Sequence, residues 1–295
     1  MAATKEKMKW LIAGGDGQLG LSLKNALAES KIEFLALSRS EMDITDLSRV
    51  KEIIEKSCAD VIVNAAAYTN VEKAESERDT AFLINETGTR NLAIASRECN
   101  SRFLHFSTDY VFSGSGNIPW QINSPIKPLS IYGQSKLAGE KAIQQEYVEG
   151  SLIIRTAWLY SQFGKNFYKT LLKIALENND PVKVVSDQIG QPTNAVELAG
   201  LAVEAIANEI PAGTYHASNS GQASWYDFAL QIFELAGADP SRVIAVATSE
   251  YQAKAPRPQF SALENSKWLE LGVKPLSHWQ ESVVSAFPSI SKTMS

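Results

Sequence analysis

Short apolar runs alternate with amphipathic segments along the first half of the chain. Five runs have the length and apolar content of buried parallel strands, at residues 9–13, 33–37, 60–64, 102–106 and 152–156. Segments with helical spacing separate them, at residues 19–29, 47–57, 77–98 and 136–147. This alternation predicts an α/β fold with a Rossmann-type doubly wound parallel sheet.

The alternation loosens in the second half. Helices are predicted at 167–177 and 225–235, strands at 181–185, 213–216 and 243–246, and a loop at 187–193 before a helix that begins near Asn194. We therefore predict a dinucleotide-binding domain over 1–157 with a return segment around 181–216. A smaller α/β substrate-binding domain is predicted over 158–180 and 217–295, with a frayed polar tail at 289–295.

A glycine-rich turn follows the first predicted strand. Gly14, Gly17 and Gly20 stand in G-x-x-G-x-x-G spacing, and an amphipathic helix begins at once behind them. Glycine allows a tight turn and a close approach of the backbone to a pyrophosphate, and the helix N-terminus offers unpaired N–H groups. With a strand before it and a helix after it, this turn favours a dinucleotide site over a simple glycine turn.

The end of the second predicted strand bears on the choice of cofactor. No acid stands at Ser38, Arg39 or Ser40 to accept a hydrogen bond from a ribose 2′-hydroxyl. Arg39 can instead bind a 2′-phosphate, which favours NADPH over NADH, although a solvated loop arginine is the alternative. Asp43 and Ile44 follow, where they can contact adenine.

The ends of the third and fourth predicted strands carry small and hydroxyl side chains. Alanines at 65–67 leave room for a flat ligand, although ordinary core alanines are nearly as good an interpretation. Ser107 and Thr108 can bind a substrate oxygen. His105 is interpreted as a core histidine rather than a catalytic one.

Tyr132 and Lys136 are the candidate acid–base pair. Their spacing of four residues places both side chains on one face of a helix. A lysine ammonium beside a tyrosine favours the phenolate, so we expect Lys136 to lower the pKa of Tyr132 toward neutral pH. The pair alone is weak evidence, and the preceding dinucleotide unit strengthens it.

Composition excludes several other classes of protein. The formal net charge of −5 argues against a nucleic-acid-binding surface, and no apolar run reaches the roughly 18 residues of a membrane span. Cys58 and Cys99 lack metal-ligand spacing, so reduced thiols are expected. We predict a cytoplasmic protein, monomer or homodimer, with no metal site, nucleic-acid partner or membrane partner; a divalent-cation requirement stays open.

Six motifs in order resemble one family. They are G-G-D-G-Q-L-G, N-A-A-A-Y-T, F-S-T-D-Y-V-F, Y-G-Q-S-K-L-A-G-E, R-T-A-W-L-Y and D-Q-I-G-Q-P-T, and the similarity spans residues 8 to about 287. Together they look like the extended short-chain dehydrogenase/reductase family, in its branch that reduces nucleotide-linked sugars. Ser113 departs from the branch, where Asp is frequent, but it lies past the catalytic residues.

The resemblance implies a role for each matching residue. Tyr132 is the implied proton donor, Lys136 its ribose-binding partner, and Thr108 the hydroxyl that tunes it. The implied cofactor contacts are Gly14, Gly17, Gln18, Leu19, Gly20, Ser38, Arg39, Asp43, Ile44, Ala67, Tyr68 and Thr69. The implied substrate contacts are Thr108, Asp109, Tyr110 and Trp158. Arg257, between two prolines, either reaches a diphosphate or is a solvated arginine.

The function implied is reduction of the C4 keto group of a dTDP-linked 6-deoxy-4-keto sugar, with NADPH or possibly NADH as cofactor. A sugar-nucleotide epimerase or dehydratase of the same family is one alternative. A second is a non-catalytic NADP-binding regulatory subunit with this fold, against which the intact Thr108, Tyr132 and Lys136 argue.

Overall fold

The computed structural model describes residues 8–250 and 253–294. Its strands are β1 (Lys9–Ala13), β2 (Glu33–Leu37), β3 (Val61–Asn64), β4 (Arg102–Thr108), β5 (Ser151–Thr156), β6 (Leu159–Tyr160), β7 (Val182–Val185), β8 (Ile189–Gly190), β9 (Thr193–Asn194), β10 (Gly213–His216), β11 (Ala223–Ser224) and β12 (Val243–Val246). Its α-helices are α1 (Gln18–Glu29), α2 (Leu47–Ser57), α3 (Val71–Ala74), α4 (Arg78–Phe82), α5 (Thr89–Glu98), α6 (Ile131–Glu146), α7 (Phe167–Glu177), α8 (Ala195–Ala207), α9 (Trp225–Leu235), α10 (Lys267–Glu270) and α11 (Trp279–Ser291).

Six parallel strands form the central sheet, in the order β10-β5-β4-β3-β1-β2. Strand β1 has β2 on one side and β3 on the other, so the strand order reverses beside it. Ligands of open α/β sheets bind at such a reversal, beyond the carboxyl ends of the strands. The candidate residues at the ends of β1, β3 and β4 therefore meet along one edge of the sheet.

Helices cover both faces of this sheet, which confirms the predicted doubly wound fold. On one face α1 and α8 pack together and bury apolar side chains such as Leu23 and Leu198. On the other face α2, α5 and α6 bury a second group that includes Ile54 and Ile143. Strands with both faces buried need apolar residues at successive positions, as β3 shows with all four residues buried.

A separate apolar core lies outside the sheet. It joins α7, α9 and α11 through residues such as Leu172, Phe228 and Val283. The pair β7 and β12 flanks it and does not join the central sheet. Within the predicted return segment 181–216, β10 joins the central sheet, whereas β7 pairs with β12, and Val184 and Val243 bury against the second core. We propose that the two cores mark the two predicted domains.

The helix predicted over 77–98 is interrupted. Residues Leu83–Gly88 form a π-helical turn between α4 and α5. π-Helical turns are rare and often lie at functional sites. Periodicity alone does not indicate such a turn, because its neighbours remain helical.

The predicted frayed tail at 289–295 is wrong for its first three residues. Helix α11 continues to Ser291, with Pro288 inside it. Proline removes one helical hydrogen bond, but Ile290 is fully buried in the second core. Burial of that side chain holds the last turn, and Ser295 lies outside the described residues.

Candidate active site

The glycine turn after β1 is packed as closely as the dinucleotide prediction requires. Gly14 has φ +82°, and a Cβ there would lie 2.7 Å from the backbone nitrogen of Ala66. A Cβ at Gly20 would collide with the carbonyl oxygen of Gly14. Gly17 caps α1 without a side-chain hydrogen bond, so N–H groups of the first turn remain open toward the end of the sheet. The turn fits a bound pyrophosphate.

The end of β2 holds an acid that the sequence analysis missed. The carboxylate of Glu41 accepts hydrogen bonds from the backbone N–H of Ser38, at 2.8 Å, and from its hydroxyl, at 2.6 Å. Both bonds lower the pKa of Glu41. Arg39 is exposed and has no hydrogen bond or ion pair with other described residues. Arg39 is therefore available to a phosphate, with a satisfied carboxylate nearby.

Asp43 and Ile44 lie where the chain leaves this turn. The Asp43 carboxylate accepts from the backbone N–H and the hydroxyl of Thr45, and its pKa is lowered, chiefly by the backbone bond. The Ile44 side chain is buried against Gly88. Asp43 thus remains accessible at the site, whereas Ile44 belongs mainly to the core.

The loop after β3 is tied to helix α6 by Asn85, which lies in the π-helical turn. Its Oδ1 accepts from the Tyr68 backbone N–H at 2.8 Å, and its Nδ2 donates to the Ser135 hydroxyl at 2.9 Å. Ala67 and Tyr68 are partly buried and Thr69 is exposed. The Tyr68 hydroxyl donates to Glu77, which raises the pKa of Tyr68 to about 12. Tyr68, one of the three predicted cofactor residues in this loop, is therefore fixed relative to the acid–base helix.

Helix α6 presents the acid–base pair. It begins earlier than predicted, because the Ser130 side chain caps it by accepting from the Gly133 N–H at 3.2 Å. Tyr132 therefore lies in the first turn and Lys136 in the second, on one face of the helix. Lys136 is buried, and its Nζ donates to the carbonyl oxygen of Phe106 at 2.6 Å.

The expected lowering of the Tyr132 pKa is wrong for the structure as it stands. Burial raises the pKa of Tyr132 to about 12, with the charge of Asp109 acting in the same direction and a hydrogen bond with Thr108 acting against both. Burial also lowers the pKa of Lys136 to about 8, against the attraction of Glu140. Tyr132 is consequently a protonated phenol at neutral pH, as a proton donor must be.

Thr108 and Asp109 lie beside this phenol at the end of β4. The Thr108 hydroxyl donates to the Asp109 carboxylate at 2.9 Å and accepts from the backbone N–H of Tyr110. Burial raises the pKa of Asp109 to about 6, although hydrogen bonds from Ser261 and Thr108 oppose the rise. The Tyr110 ring meets the Tyr132 ring edge-on, with centroids 5.5 Å apart. These residues form one polar pocket wall.

A buried ion pair supports the wall from behind. Glu140 accepts from Arg155 Nε at 2.9 Å and from Nη2 at 2.7 Å, and also from the Ser107 hydroxyl. Both charged side chains are almost fully buried. This pair joins α6, β4 and β5. Both residues stand in motifs of the sequence, but no sequence pattern indicates that they pair.

His105 is a core histidine, as interpreted, but it also contacts Lys136 of the acid–base pair. It is fully buried in β4, and its Nε2 lies 3.3 Å from Nζ of Lys136. Burial, and then the charge of Lys136, hold the pKa of His105 well below its usual range. The spacing of 31 residues gave no signal of this contact.

Trp158 stacks on a second tryptophan that the sequence analysis missed. The Trp158 and Trp225 rings are nearly parallel, with centroids 3.6 Å apart. Trp158 has φ +45°, a left-handed backbone that disfavours large side chains. Gly190 leaves room for its ring, because a Cβ there would lie 2.5 Å from it. The stack sits where the second core meets the sheet edge.

Arg257 is not a freely solvated arginine. Its Nη2 donates to the Glu72 carboxylate at 2.8 Å, and Glu72 also accepts from the backbone N–H of Lys254 at 2.8 Å. Arg257 and Glu72 contribute to the electrostatics of Tyr110. The Arg257 guanidinium is thus close to the pocket wall and already paired with a carboxylate.

Residues 8–250 and 253–294 contain no group of three or more His, Cys, Asp and Glu side chains arranged to hold a metal ion. The same residues also include no helix long and apolar enough to cross a membrane.

The structure therefore gathers most of the predicted residues at one sheet edge. Tyr132, Lys136, Thr108 and Asp109 lie together, next to the glycine turn and the loop after β3. Such an arrangement can protonate an oxygen of a ligand held between the pocket wall and a cofactor on the glycine turn.

The chain is similar to known proteins over almost its whole length. The family described as RmlD substrate binding domain matches residues 8–291. The spore coat polysaccharide biosynthesis protein SpsK of Bacillus subtilis is 41% identical over 275 residues, which are 93% of this chain and 95% of that protein. A dTDP-4-dehydrorhamnose reductase of Streptomyces griseus is 39% identical over 286 residues, covering 96% and 94%.

Solved structures agree with the fold. The crystal structure of dTDP-4-dehydrorhamnose reductase from Bacillus anthracis in complex with NADP matches with a TM-score of 0.92. Its sequence is 35% identical, and the match covers 96% of this chain and 99% of that one. That protein binds NADP on the same fold.

Proposed function

Because the chain belongs to the RmlD substrate binding domain family, we propose that it is an NADPH-dependent reductase of a dTDP-linked 6-deoxy-4-keto sugar. The specific reaction is conversion of dTDP-4-dehydrorhamnose to dTDP-L-rhamnose, the last step of dTDP-rhamnose biosynthesis. The observation that supports it best is the position of Tyr132 and Lys136 on adjacent turns of α6, with Thr108 at the end of β4, at the sheet edge next to the glycine turn.

The residues of the site divide the work of proton transfer and cofactor binding. The nicotinamide cofactor, when bound, supplies the hydride for the C4 carbonyl carbon. Tyr132 gives its proton to the carbonyl oxygen, and Thr108 orients that phenol. Lys136 stabilises the phenolate left behind and holds the nicotinamide ribose. Gly14, Gly17 and Gly20, with the N-terminus of α1, hold the pyrophosphate.

The sugar nucleotide is held by the pocket wall and the tryptophan stack. Asp109 and Tyr110 face the sugar, and Trp158 provides a flat apolar surface for it. Arg257 binds the diphosphate, exchanging its bond with Glu72 for one with phosphate. Arg39 binds the 2′-phosphate of NADPH.

The alternatives within the family differ in their chemistry. A dehydratase needs further acid–base residues to expel water, and Tyr110 follows Asp109 where a second acid is expected. A non-catalytic subunit has no need of Thr108, Tyr132 and Lys136 together. Both observations favour the reductase. Cytoplasmic location and a monomeric or homodimeric state stay predictions.

The test is NADPH oxidation, followed at the nicotinamide absorbance, with a panel of 4-keto sugar nucleotides. Tyr132→Phe keeps the ring and removes the proton, so turnover falls by roughly two to four orders of magnitude, while NADPH affinity stays near that of the wild type. Tyr147→Phe is the matched control, since Tyr147 packs in the core under the sheet. Near-normal turnover in Tyr132→Phe would show that Tyr132 is not the proton donor.

A further inference from the structure

His105 is joined to polar groups on both sides of its ring. Its Nε2 lies 3.3 Å from Nζ of Lys136, and its Nδ1 lies 3.1 Å from Nδ2 of Asn64, its neighbour in β3. The ring is fully buried and neutral. In a buried neutral imidazole, the partner of one nitrogen decides where the single proton lies.

The orientation of the Asn64 amide fixes that proton. The backbone N–H of Ala66 donates to Asn64 Oδ1 at 3.1 Å, so the other amide atom is Nδ2. This nitrogen lies 3.1 Å from the hydroxyl oxygen of Thr89 and 3.1 Å from the His105 ring. An amide nitrogen only donates. Nδ1 of His105 is therefore an acceptor, and the ring carries its hydrogen on Nε2.

The Nε2–H group then points at the amine of Lys136. An ammonium has only donors, whereas a neutral amine has a lone pair that can accept this hydrogen. A hydrogen bond to the neutral form of a base disfavours its charged form. The carbonyl oxygen of Phe106 accepts from Nζ in either state.

We propose that His105 is a positioning residue: it holds the Lys136 amine through its Nε2–H and favours release of the Lys136 proton. Burial acts in the same direction. The titratable groups that face Lys136 are His105 from β4, and Glu140 and Tyr132 from its own helix; the Glu140 charge acts in the opposite direction. The effect on turnover rests on the function proposed for Lys136, whereas the tautomer of His105 does not.

The tautomer is tested by long-range ¹H–¹⁵N NMR of the ¹⁵N-labelled protein. The chain has three histidines. His216→Asn and His278→Asn assign the signals of the other two, and the signals that remain in both variants belong to His105. The expected result is a neutral ring protonated on Nε2 from about pH 6 to about pH 9. A ring protonated on Nδ1, or an imidazolium, overturns the proposal, and this measurement needs no substitution at His105.

The effect on Lys136 is tested by the pH profile of kcat/KM for NADPH oxidation. The wild-type profile is expected to fall at alkaline pH as Lys136 loses its proton. The asparagine side chain is shorter than the imidazole, so its amide does not reach the place of Nε2 and the N–H donor to Lys136 is lost. The alkaline limb of the profile should then move up by about one pH unit. A limb that stays at the wild-type position overturns the proposal and leaves His105 a structural role.

His216→Asn is the matched control. His216 is as deeply buried as His105 but packs on Phe112 instead of Lys136. The control should lose stability, but the alkaline limb of its kcat/KM profile should stay at the wild-type pH. An alkaline limb that moves equally in His105→Asn and His216→Asn overturns the proposal. Wild-type protein that oxidises no NADPH, yet shows the Nε2–H tautomer, contradicts the proposed function and supports the assignment of His105.

Discussion

Removal of the Glu140 charge should destabilise the protein far more than removal of an exposed one. Glu140 and Arg155 are almost fully buried, and Arg155 donates to the carboxylate through two nitrogens at 2.7 and 2.9 Å. Glu140→Gln keeps the side-chain size but leaves the guanidinium without a counter-charge. A buried pair broken in this way loses about 3–5 kcal/mol of stability.

The size of the thermal shift follows from chain length. The unfolding entropy is about 2.1 cal/mol/K per residue. For a chain of 295 residues, a loss of about 3–5 kcal/mol therefore lowers Tm by about 5–8 °C. Urea unfolding followed by circular dichroism gives the free energy directly. The shift in midpoint should come without a change in slope.

An exposed pair provides the matched control. Lys51 and Glu98 lie 2.7 Å apart with 39% and 46% of their side chains exposed. Glu98→Gln should therefore change stability by no more than about 1 kcal/mol. A loss below about 1 kcal/mol in Glu140→Gln, equal to that of Glu98→Gln, refutes the reasoning that burial makes the Glu140–Arg155 pair decisive.

Two other predictions concern Asp109 and Arg39. Because burial raises the folded-state pKa of Asp109 to about 6 from 3.8, folding favours its protonated form, and that stability is lost as pH rises through about 6. The free energy of unfolding of the wild type, measured in urea, should fall by about 3 kcal/mol between pH 4 and pH 8 through Asp109, and this fall should be absent in Asp109→Asn. If the free energies of the two proteins change with pH in parallel, the raised pKa of Asp109 is contradicted. Arg39→Ala should weaken NADPH binding in fluorescence titration by about 1–3 kcal/mol and leave NADH nearly unchanged. Equal losses for both cofactors show that Arg39 does not contact the 2′-phosphate.

Local sequence patterns predicted much of the fold and part of the candidate site. The strands of the sheet and the glycine turn follow from apolar runs and from the need for residues without Cβ at Gly14 and Gly20. The helix that holds Tyr132 and Lys136 follows from spacing. These features depend on residues close together in the chain, so the sequence alone indicates them.

Contacts between distant segments could not be predicted in this way. His105 and Lys136 are 31 residues apart, and Asn85 lies 50 residues from Ser135. Each contact depends on how strands and helices pack, which periodicity does not encode. The prediction of a lowered Tyr132 pKa was wrong for the same reason. Burial of Tyr132 comes from the packing of α6 on the end of β4, and it outweighs the effect expected from the charge of Lys136.

The central claim is net reduction of a 4-keto sugar nucleotide, and isotope transfer from NADPH tests it most directly. NADPH carrying deuterium at the transferable position is mixed with dTDP-4-dehydrorhamnose and the protein, and both products are analysed by mass spectrometry and NMR. Net reduction predicts one deuterium at C4 of the sugar for each NADPH consumed. Conversion of the sugar nucleotide without loss of NADPH, on protein that retains tightly bound NAD, contradicts the claim.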